Sequence, residues 1–525
     1  MLRIFICLTA LLSLLPVAFC RAQADTDTLP NRNQSHELEQ ATHLWLRSGQ
    51  MSGLTLSPLR PGSMGAVTAS REYGDYHRVQ EAQATNLLSM HAEQTSRAGK
   101  YLMVRTLFDI QMKYEYDRAW SDVMRTYNSN PFFFGSDIKG QYDHLYFTLQ
   151  MGIGSVEIGR FTFGMDLFYE VGNMSRLRDP RSKNNVEDYH ITPSASFRLH
   201  HNHRVAAELR YKHRKEDMPS IKLLGDDTPY YSFYSGMENI ESVRGGYTGF
   251  QREFINQSYG AGLTYHYRDH RSWETLLSVR YQQGNEKAWD EYKGTPGTYK
   301  TTTLDARWLT TYTSPRFLHT LDLGFTSHTG DADKYLQEIT TINNTILNTT
   351  NKYYTTVLIY HKIYQVETQD ISLRYRPFAR DGANDYGYYL GVEARYAYAD
   401  NRNNLPSSTF DASTLQAGVN GGLRLLNKPK ARLWIEPGVT YLRALDASLS
   451  LADATTLYAT EVLIPDMDYY NASYVEAQLG VKYQFPFRVK NLSAQGYFEL
   501  KGNHLWADNS TSRWGAWLTF GVFAW

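Results

Sequence analysis

Hydrophobic and polar residues alternate along much of this chain, and residues 108–117 (FDIQMKYEYD) show the pattern clearly. Phe108 and Ile110 fall on one side of an extended segment, whereas Asp109 and Lys113 fall on the other. Successive side chains of a β-strand point to opposite faces, so this segment is predicted to be a strand with one apolar and one charged face. A soluble sandwich and a membrane barrel both use such strands, and the rest of the chain must distinguish them.

The same alternation recurs in residues 160–171, 388–398, 475–484 and 492–502. We predict eighteen strands, with ends uncertain by several residues. The predicted spans are 72–80, 84–95, 100–116, 143–153, 157–171, 188–199, 203–216, 252–268, 272–285, 299–313, 317–328, 365–377, 384–399, 412–427, 430–444, 472–485, 490–504 and 513–525.

The connections between these strands alternate between short and long. Turns such as RAGK (97–100) and NKPK (427–430) alternate with long polar segments such as 117–142 and 329–364. Outer-membrane barrels have this asymmetry, with short periplasmic turns and longer outer loops, whereas Greek-key sandwiches have no reason to keep it. The polar segment at 340–354 either extends a hairpin above the membrane or dips inward as a constriction.

The fold class follows from these patterns. We predict an all-β protein that forms a single transmembrane up-and-down antiparallel β-barrel of about eighteen strands, with sixteen as the alternative. The predicted strands are long enough for a tilted crossing, which needs about 9–11 residues. Aromatic residues near strand ends, such as Trp120 and Trp273, are predicted to form the interfacial girdles of such a barrel.

Residues 1–22 are predicted to be an export signal. Arg3 precedes an apolar run over residues 4–19, and small residues follow it. Both cysteines of the chain, Cys7 and Cys20, lie within this segment. The mature chain is therefore expected to contain no thiol and to use neither disulfides nor cysteine chemistry.

The next segment differs from the rest of the chain. Residues 33–50 can form a short helix, and residues 57–65 have the proline and glycine content of a loop. We predict that residues 23–70 form a periplasmic tether or a small hatch in the barrel mouth, and that residues 71–525 form the barrel.

Composition excludes several functional classes. The chain has 54 basic and 54 acidic residues, a balance that argues against nucleic-acid binding through a basic surface. No G-x-S-x-G motif is present, and the histidines in residues 200–203 (HHNH) have no adjoining carboxylate or cysteine to complete a metal site. We predict no enzyme activity, no catalytic residues, no cofactor and no metal.

Alternation also places charged side chains of both signs on the inner face of the predicted barrel. They are predicted to line an aqueous path and to set its ion preference. The alternative is that they pair across the lumen and fill it as a lattice of salt bridges. The pore-lining candidates are Asp109, Lys113, Glu115, Asp166, Arg210, Arg280, Glu393, Arg395, Glu436, Lys482, Glu499 and Lys501.

Four short motifs suggest a family: residues 73–83 (YGDYHRVQEAQ), 137–147 (DIKGQYDHLYF), 178–185 (RDPRSKNN) and 435–439 (IEPGV). On these motifs the chain resembles an uncharacterised family of outer-membrane β-barrels from Bacteroidota, a family of unknown function. The resemblance implies an outer-membrane barrel and supplies neither a substrate nor catalytic residues. Residues 48–54 (SGQMSGL) are weakly similar to a motif of fatty-acid-transporter barrels, which carry a short N-terminal hatch.

The predicted function is an outer-membrane pore or channel for passive or substrate-specific transport of small polar solutes. The alternative is an occluded structural or assembly barrel that presents its loops or its periplasmic end to partner proteins. The expected location is the outer membrane of a Gram-negative bacterium. Expected partners are outer-membrane lipid, lipopolysaccharide, the barrel-assembly machinery during insertion and an unidentified protein partner, with no nucleic acid.

Overall fold

The structure is a computed structural model of the chain. The predicted export signal lies outside the residues that it describes. Among the described residues, no helix is long and apolar enough to cross a membrane. The described residues are 32–57, 59–219, 221–224, 230–245, 251–269, 272–290, 294–344, 349–382, 385–489 and 492–524.

Eighteen long strands follow one another along the chain and form a single wall. They are β1 (Gly62–Gly74), β2 (Ala84–Ala98), β3 (Leu102–Arg118), β4 (Gly140–Ser155), β5 (Phe161–Arg176), β6 (Arg181–His200), β7 (His203–Met218), β8 (Arg252–Arg268), β9 (Trp273–Asp290), β10 (Gly297–Thr313), β11 (Phe317–Asn344), β12 (Thr349–Arg380), β13 (Tyr386–Asn404), β14 (Ser407–Lys428), β15 (Ala431–Ser450), β16 (Tyr474–Val489), β17 (Leu492–Ala507) and β18 (Ser512–Ala524).

Each strand pairs in antiparallel fashion with the next, and the last strand pairs with the first. In the closing pair, Gly65 of β1 lies opposite Val522 of β18, and Ser70 lies opposite Trp517. The result is a closed antiparallel barrel of 18 strands, and 74% of the described residues lie in strands. The predicted fold class and the strand number of eighteen are confirmed, and the sixteen-stranded alternative is wrong.

The first strand begins earlier than predicted. The sequence places it at residues 72–80, whereas β1 spans Gly62–Gly74 and residues 75–83 form the loop to β2. Residues 62–70 are mostly small, so they show no large apolar face. Pairing with β2 and β18 on both sides supplies the order that local preference does not. The barrel therefore starts at residue 62 rather than 71.

The outer surface of the wall carries large apolar side chains that no described part of the chain covers. Leu263, Leu390 and Leu500 are 70%, 52% and 57% exposed. A transmembrane barrel presents such an apolar band to lipid. Trp120, predicted to belong to an aromatic girdle on this surface, is instead buried among the long loops.

All connections at one end of the barrel, here called the turn end, are two to five residues long, and the long loops over residues 75–83, 119–139, 219–251 and 451–473 lie at the opposite end, here called the loop end. Within residues 32–57, two helices and one 3₁₀ turn precede β1: α1 (Arg32–Thr42), α2 (Leu44–Ser48) and Met51–Gly53. His43 accepts a hydrogen bond from the Leu46 amide at the start of α2, and Gly49, with φ +75°, ends it. We call residues 32–57 the hatch, because they lie inside the turn end of the barrel.

The long loops fold over the opposite end. Strand segments Phe134–Gly135, Tyr230–Tyr234 and Ile240–Gly245 form a small sheet, and helix α3 (Ile464–Tyr470) follows the π-helical segment Ala459–Leu463. Their aromatic side chains share a core with inward-facing residues at the top of the wall. We call the described parts of residues 119–139, 219–251 and 451–473 the cap.

Strands β11 and β12 extend beyond their neighbours. Strand β10 pairs with β11 as far as Lys334, and β13 pairs with β12 as far as Tyr364. The hairpin continues alone to the pair Asn344 and Thr349. The predicted extension of a hairpin at residues 340–354 is therefore what the backbone shows, and the inward constriction is wrong.

Candidate functional site: a lumen between a hatch and a cap

Inward-facing glycines of the wall make room for the hatch. A Cβ atom on Gly164 of β5 would lie 2.1 Å from the backbone nitrogen of Ser52, and one on Gly154 of β4 would lie 2.6 Å from the Cβ of Leu54. The Ser52 amide donates to the hydroxyl of Ser194 at 3.1 Å. The 3₁₀ turn of the hatch is therefore in direct contact with the wall backbone, and larger residues would exclude it.

Apolar contacts fix the middle of the hatch. Leu44 and Trp45 are fully buried against Ala206, Leu276 and Leu309, which are inward-facing residues of β7, β9 and β10. Burial of a large apolar side chain contributes about 1.5–3 kcal/mol. The hatch therefore docks by shape and apolar burial as well as by charge.

Ion pairs join the hatch to two sides of the wall. The guanidinium of Arg47 lies 2.7 Å from Asp322, and Arg307 donates to the backbone oxygen of Arg47 at 2.6 Å. On the other side, the Lys482 ammonium lies 2.8 Å from Glu37 of α1, a residue of the hatch. Of the wall residues Asp322, Arg307 and Lys482, only Lys482 is among the pore-lining residues predicted from the sequence.

The structure places each of the twelve predicted pore-lining residues in a hydrogen bond or ion pair within the described chain. Their role along a conduction path stays a prediction, because pairing is also what a closed lattice requires. The contacts are Asp109 with His91, Lys113 with Glu115, Asp166 and Arg210 with His190, Arg280 with Glu208, Glu393 with Arg374, Arg395 with Asp370, Lys482 with Glu436, and Lys501 with Glu499.

A cavity of about 570 Å³ lies next to the hatch, whose Ser48 forms part of its lining. We call it the lower cavity. Arg280 lies 2.5 Å from Glu208 across it, and Arg307 lies 2.6 Å from Asp322. The sequence analysis omits Arg307 and Asp322, although alternation along β10 and β11 identifies their inward face.

A second cavity, of about 510 Å³, lies nearer the loop end, beneath the cap. We call it the upper cavity. Along β7, Glu208 lines the lower cavity, and Lys212, Arg214 and Glu216 line the upper one. Arg125 of the cap completes this part of the lining. The two cavities therefore follow each other along the lumen between the hatch and the cap.

A buried carboxylate anchors the cap to the wall. Asp122, which is fully buried, accepts hydrogen bonds from Ser182 at 2.8 Å, from Tyr231 at 2.5 Å and from Tyr142. The fully buried guanidinium of Arg176 lies 3.4 Å away. The sequence analysis does not find this group, because Asp122 lies in a loop where no strand periodicity marks its direction.

A second contact, between helix α3 of the cap and the loop from β1 to β2, involves a buried acid whose pKa is raised. Asp466 of α3 is 5% exposed and accepts a hydrogen bond from the Val79 amide at 2.7 Å. Burial raises the pKa of Asp466 to about 7, although this hydrogen bond and nearby Arg78 act in the opposite direction. Arg78 itself is held at 2.5 Å by Glu81.

The chain matches the model of one protein family over residues 51–524, which is nearly all of the barrel. That family is described as a family of unknown function (DUF6850). The chain belongs to this family. The match confirms the predicted likeness to a family without an assigned function. No curated protein matches the chain.

Solved structures with a similar arrangement of strands include several outer-membrane proteins. The copper transporter OprC shares 9% identity, with 89% of this chain and 84% of that chain covered and a TM-score of 0.38. The FrpB iron transporter from Neisseria meningitidis (F3-3 variant) shares 9% identity, with 90% and 82% covered and a TM-score of 0.41. Because both TM-scores are below 0.5, these likenesses say nothing about the cargo or mechanism of this chain.

Proposed function

We propose that this protein is an outer-membrane channel for small polar solutes, closed at rest by the hatch and the cap. The observation that carries the proposal is the pair of polar cavities aligned between these two closures. In outer-membrane barrels the short turns face the periplasm. The hatch then closes the periplasmic side, and the cap closes the extracellular side.

The lumen suits passive conduction. Its charged side chains are of both signs, and those of the lower cavity engage one another at 2.5–3.6 Å. A wall of paired charges and hydroxyl groups can replace part of the hydration of a polar solute without holding it tightly. Of the twelve predicted residues, Arg280, Glu393 and Arg395 line the lower cavity, together with Asp322, Arg307, Asp370 and Arg374.

The strand pairing determines which residues can be deleted to remove each closure. A hatch deletion should span residues 23–57, because deletion to residue 70 would remove most of β1. Arg252 pairs directly with Met218. An Asn-Gly turn, which suits a two-residue hairpin, can therefore replace residues 219–251 and remove a large part of the cap.

The test is conductance in planar bilayers of the protein from residue 23 onward, the two single deletions and the double deletion. We expect no steady steps from the protein with both closures and regular ohmic steps from the double deletion, with smaller or intermittent steps from the single deletions. Each protein must first show heat-modifiable migration, which reports a folded barrel. A folded double deletion without conductance would contradict the proposal.

A second candidate function is a docking platform for a partner protein. It is favoured by the free part of the β11–β12 hairpin, where Leu336, Ile339 and Tyr353 are 52%, 56% and 52% exposed. Lys334 pairs directly with Tyr360, so an Asn-Gly turn can replace residues 335–359. Cross-linking in intact cells should capture a partner with the complete hairpin and lose it with the shortened one, while conductance of the double deletion is unchanged.

A further inference from the structure

The two cavities differ in charge balance. The lower cavity is lined by four basic and five acidic residues, and its arginines all lie beside carboxylates. The upper cavity is lined by Arg78, Arg125, Lys212 and Arg214 against only Glu216 and Glu286, with His328 in addition. Of these two cavities, only the upper one therefore has an excess of basic groups.

The carboxylates of the upper cavity are already occupied. Glu216 accepts from the Met124 amide at 2.9 Å and from Asn184 at 3.0 Å, and it lies 3.5 Å from Arg214. Glu286 accepts from Asn130 at 2.7 Å. Both acids are therefore held by existing contacts, and together they balance only two of the four basic side chains of the lining.

Most of the basic groups have partners too, and Arg125 is the exception. Arg78 is held by Glu81 at 2.5 Å, and Lys212 lies 2.9 Å from Asp188, outside the cavity lining. The guanidinium of Arg125 makes no hydrogen bond or ion pair with any described residue, and it remains accessible where it lines the cavity. A guanidinium in this state is suited to a carboxylate or phosphate ligand, because its planar donors match the oxygens of either group.

Neutral polar side chains line the same cavity as this guanidinium. They include Ser258, Gln282, Thr301 and Thr303. The hydroxyl of Thr303 also lies 2.9 Å from Nδ1 of His328. Hydroxyl and amide groups at this position can satisfy ligand oxygens that the charged side chains do not reach.

We propose that the upper cavity is a binding site for a small polyanionic solute bearing phosphate or carboxylate groups, with Arg125 as its main ligand-binding residue. Lys212, Arg214 and the surrounding hydroxyl groups complete the site. The wall separates this cavity from the membrane, so the ligand is a free solute rather than a lipid headgroup. This inference deepens the proposed channel function by naming the solute class.

The test is equilibrium dialysis of the detergent-solubilised protein from residue 23 onward against radiolabelled pyrophosphate, citrate and neutral maltose. We expect one or both anions to bind in preference to maltose, and Arg125→Gln to weaken that binding at least ten-fold. Arg125→Lys should restore part of it. Binding of pyrophosphate alone would assign phosphate chemistry, and binding of citrate alone would assign carboxylate chemistry.

Arg178→Gln is the matched control, since Arg178 is an exposed loop arginine outside the upper cavity. Equal loss of binding in both variants would indicate general electrostatic attraction and overturn the proposal. The protein with residues 219–251 replaced keeps Arg125 and opens the cap, so absence of anion binding in both this protein and the complete one would also overturn it. Anion binding together with a folded double deletion that does not conduct would contradict only the channel function, and a conducting double deletion without Arg125-dependent binding would contradict only this site.

Discussion

The hatch and the cap close the same lumen by different means. The hatch is a single N-terminal segment that rests on wall glycines such as Gly164 and inserts Trp45 between wall side chains. The cap is made of loops that connect wall strands, and its aromatic core includes Phe254 and Tyr299 from the wall itself. One closure is laid against the barrel, and the other is continuous with it.

This difference has a consequence for motion. The hatch makes no strand pairing with the wall, so it can leave without breaking the hydrogen bonds of the barrel. Movement of the cap disturbs the inner face at the loop end of the wall, where Tyr364 and Phe410 pack into the same core. Local opening takes place where few contacts are lost, so the hatch is the expected site of gating.

The largest expected effect comes from Gly164→Ala. The added methyl group would lie 2.1 Å from the Ser52 nitrogen, and because the clash is with backbone, no side-chain rotation relieves it. We expect the hatch to leave its seat while the barrel stays folded. The measurement is maleimide labelling of Ser52→Cys, a fully buried position, which should become at least ten-fold faster with the added Gly164→Ala change.

Gly65→Ala provides the control, since the nearest atom to its added methyl group is 3.9 Å away. It should leave the labelling rate of Ser52→Cys unchanged. If Gly164→Ala also left the rate unchanged in a heat-modifiable barrel, the hatch would not be seated on the glycines, and the contrast with the cap would lose its basis.

The corresponding change in the cap is Asp122→Asn. It leaves the buried guanidinium of Arg176 without its counter-charge, and loss of one partner of a buried ion pair typically costs about 3–5 kcal/mol. Hydrogen exchange should show lower protection of residues 119–134 and unchanged protection of the hatch. Asp411→Asn, at an exposed carboxylate that accepts from Ser448, should change neither. Equal loss of protection in the hatch would mean that the two closures are coupled.

Much of the wall could be predicted from the sequence, because apolar and polar residues alternate along a strand that has one apolar face. Residues 108–117 show this directly, and their neighbours along the chain give the topology. The strand at residues 62–70 could not be predicted in this way, because its side chains are mostly small and form no large apolar face. Pairing with strands on both sides orders these residues instead. The position of Trp120 could not be predicted either, because an aromatic residue next to a strand suits a lipid interface and a loop core equally well.

The site was less predictable, because it depends on contacts between distant parts of the chain. Alternation gives the inward direction of Arg280, but it does not give Glu208 as its partner, 72 residues earlier. Arg125 and Asp122 lie in a loop without periodicity, so the sequence predicts neither the direction of their side chains nor the groups around them. The contact of the hatch with the wall depends on Gly164. Alternation predicts that Gly164 faces inward, but only the folded structure shows that Ser52 of the hatch lies against it.

A smaller effect is expected from pH, and it is confined to the cap. Asp466 has a folded-state pKa of about 7, raised by burial, against 3.8 in an unfolded chain. The closed cap therefore favours the protonated acid, and its stability falls as pH rises from about 4 to 7. Protection factors of residues 464–470, corrected for intrinsic exchange, should be higher at pH 5.5 than at pH 8. The expected difference is roughly an order of magnitude, which is the effect of one buried acid whose pKa is shifted.

Asp466→Asn tests the assignment, since an amide can keep the hydrogen bond from the Val79 nitrogen without titrating. This variant should lose most of the pH dependence in residues 464–470. Labelling of Ser52→Cys in the hatch, compared at each pH with that of an unfolded peptide, should show no parallel trend. A pH dependence that persists in Asp466→Asn would contradict the assignment of the effect to Asp466.

The smallest effect is expected from Arg47→Met in the hatch. Methionine keeps much of the apolar stem, and Asp322 retains Arg307 at 2.6 Å after Arg47 is removed, so no carboxylate is left without a partner. The Arg47–Asp322 pair is largely buried, but its loss leaves no buried charge without a partner, so labelling of Ser52→Cys should rise by less than about five-fold. If Arg47→Met released the hatch as fully as Gly164→Ala, charge rather than shape would hold it. The hatch would then resemble the cap, whose anchor at Asp122 is an ion pair.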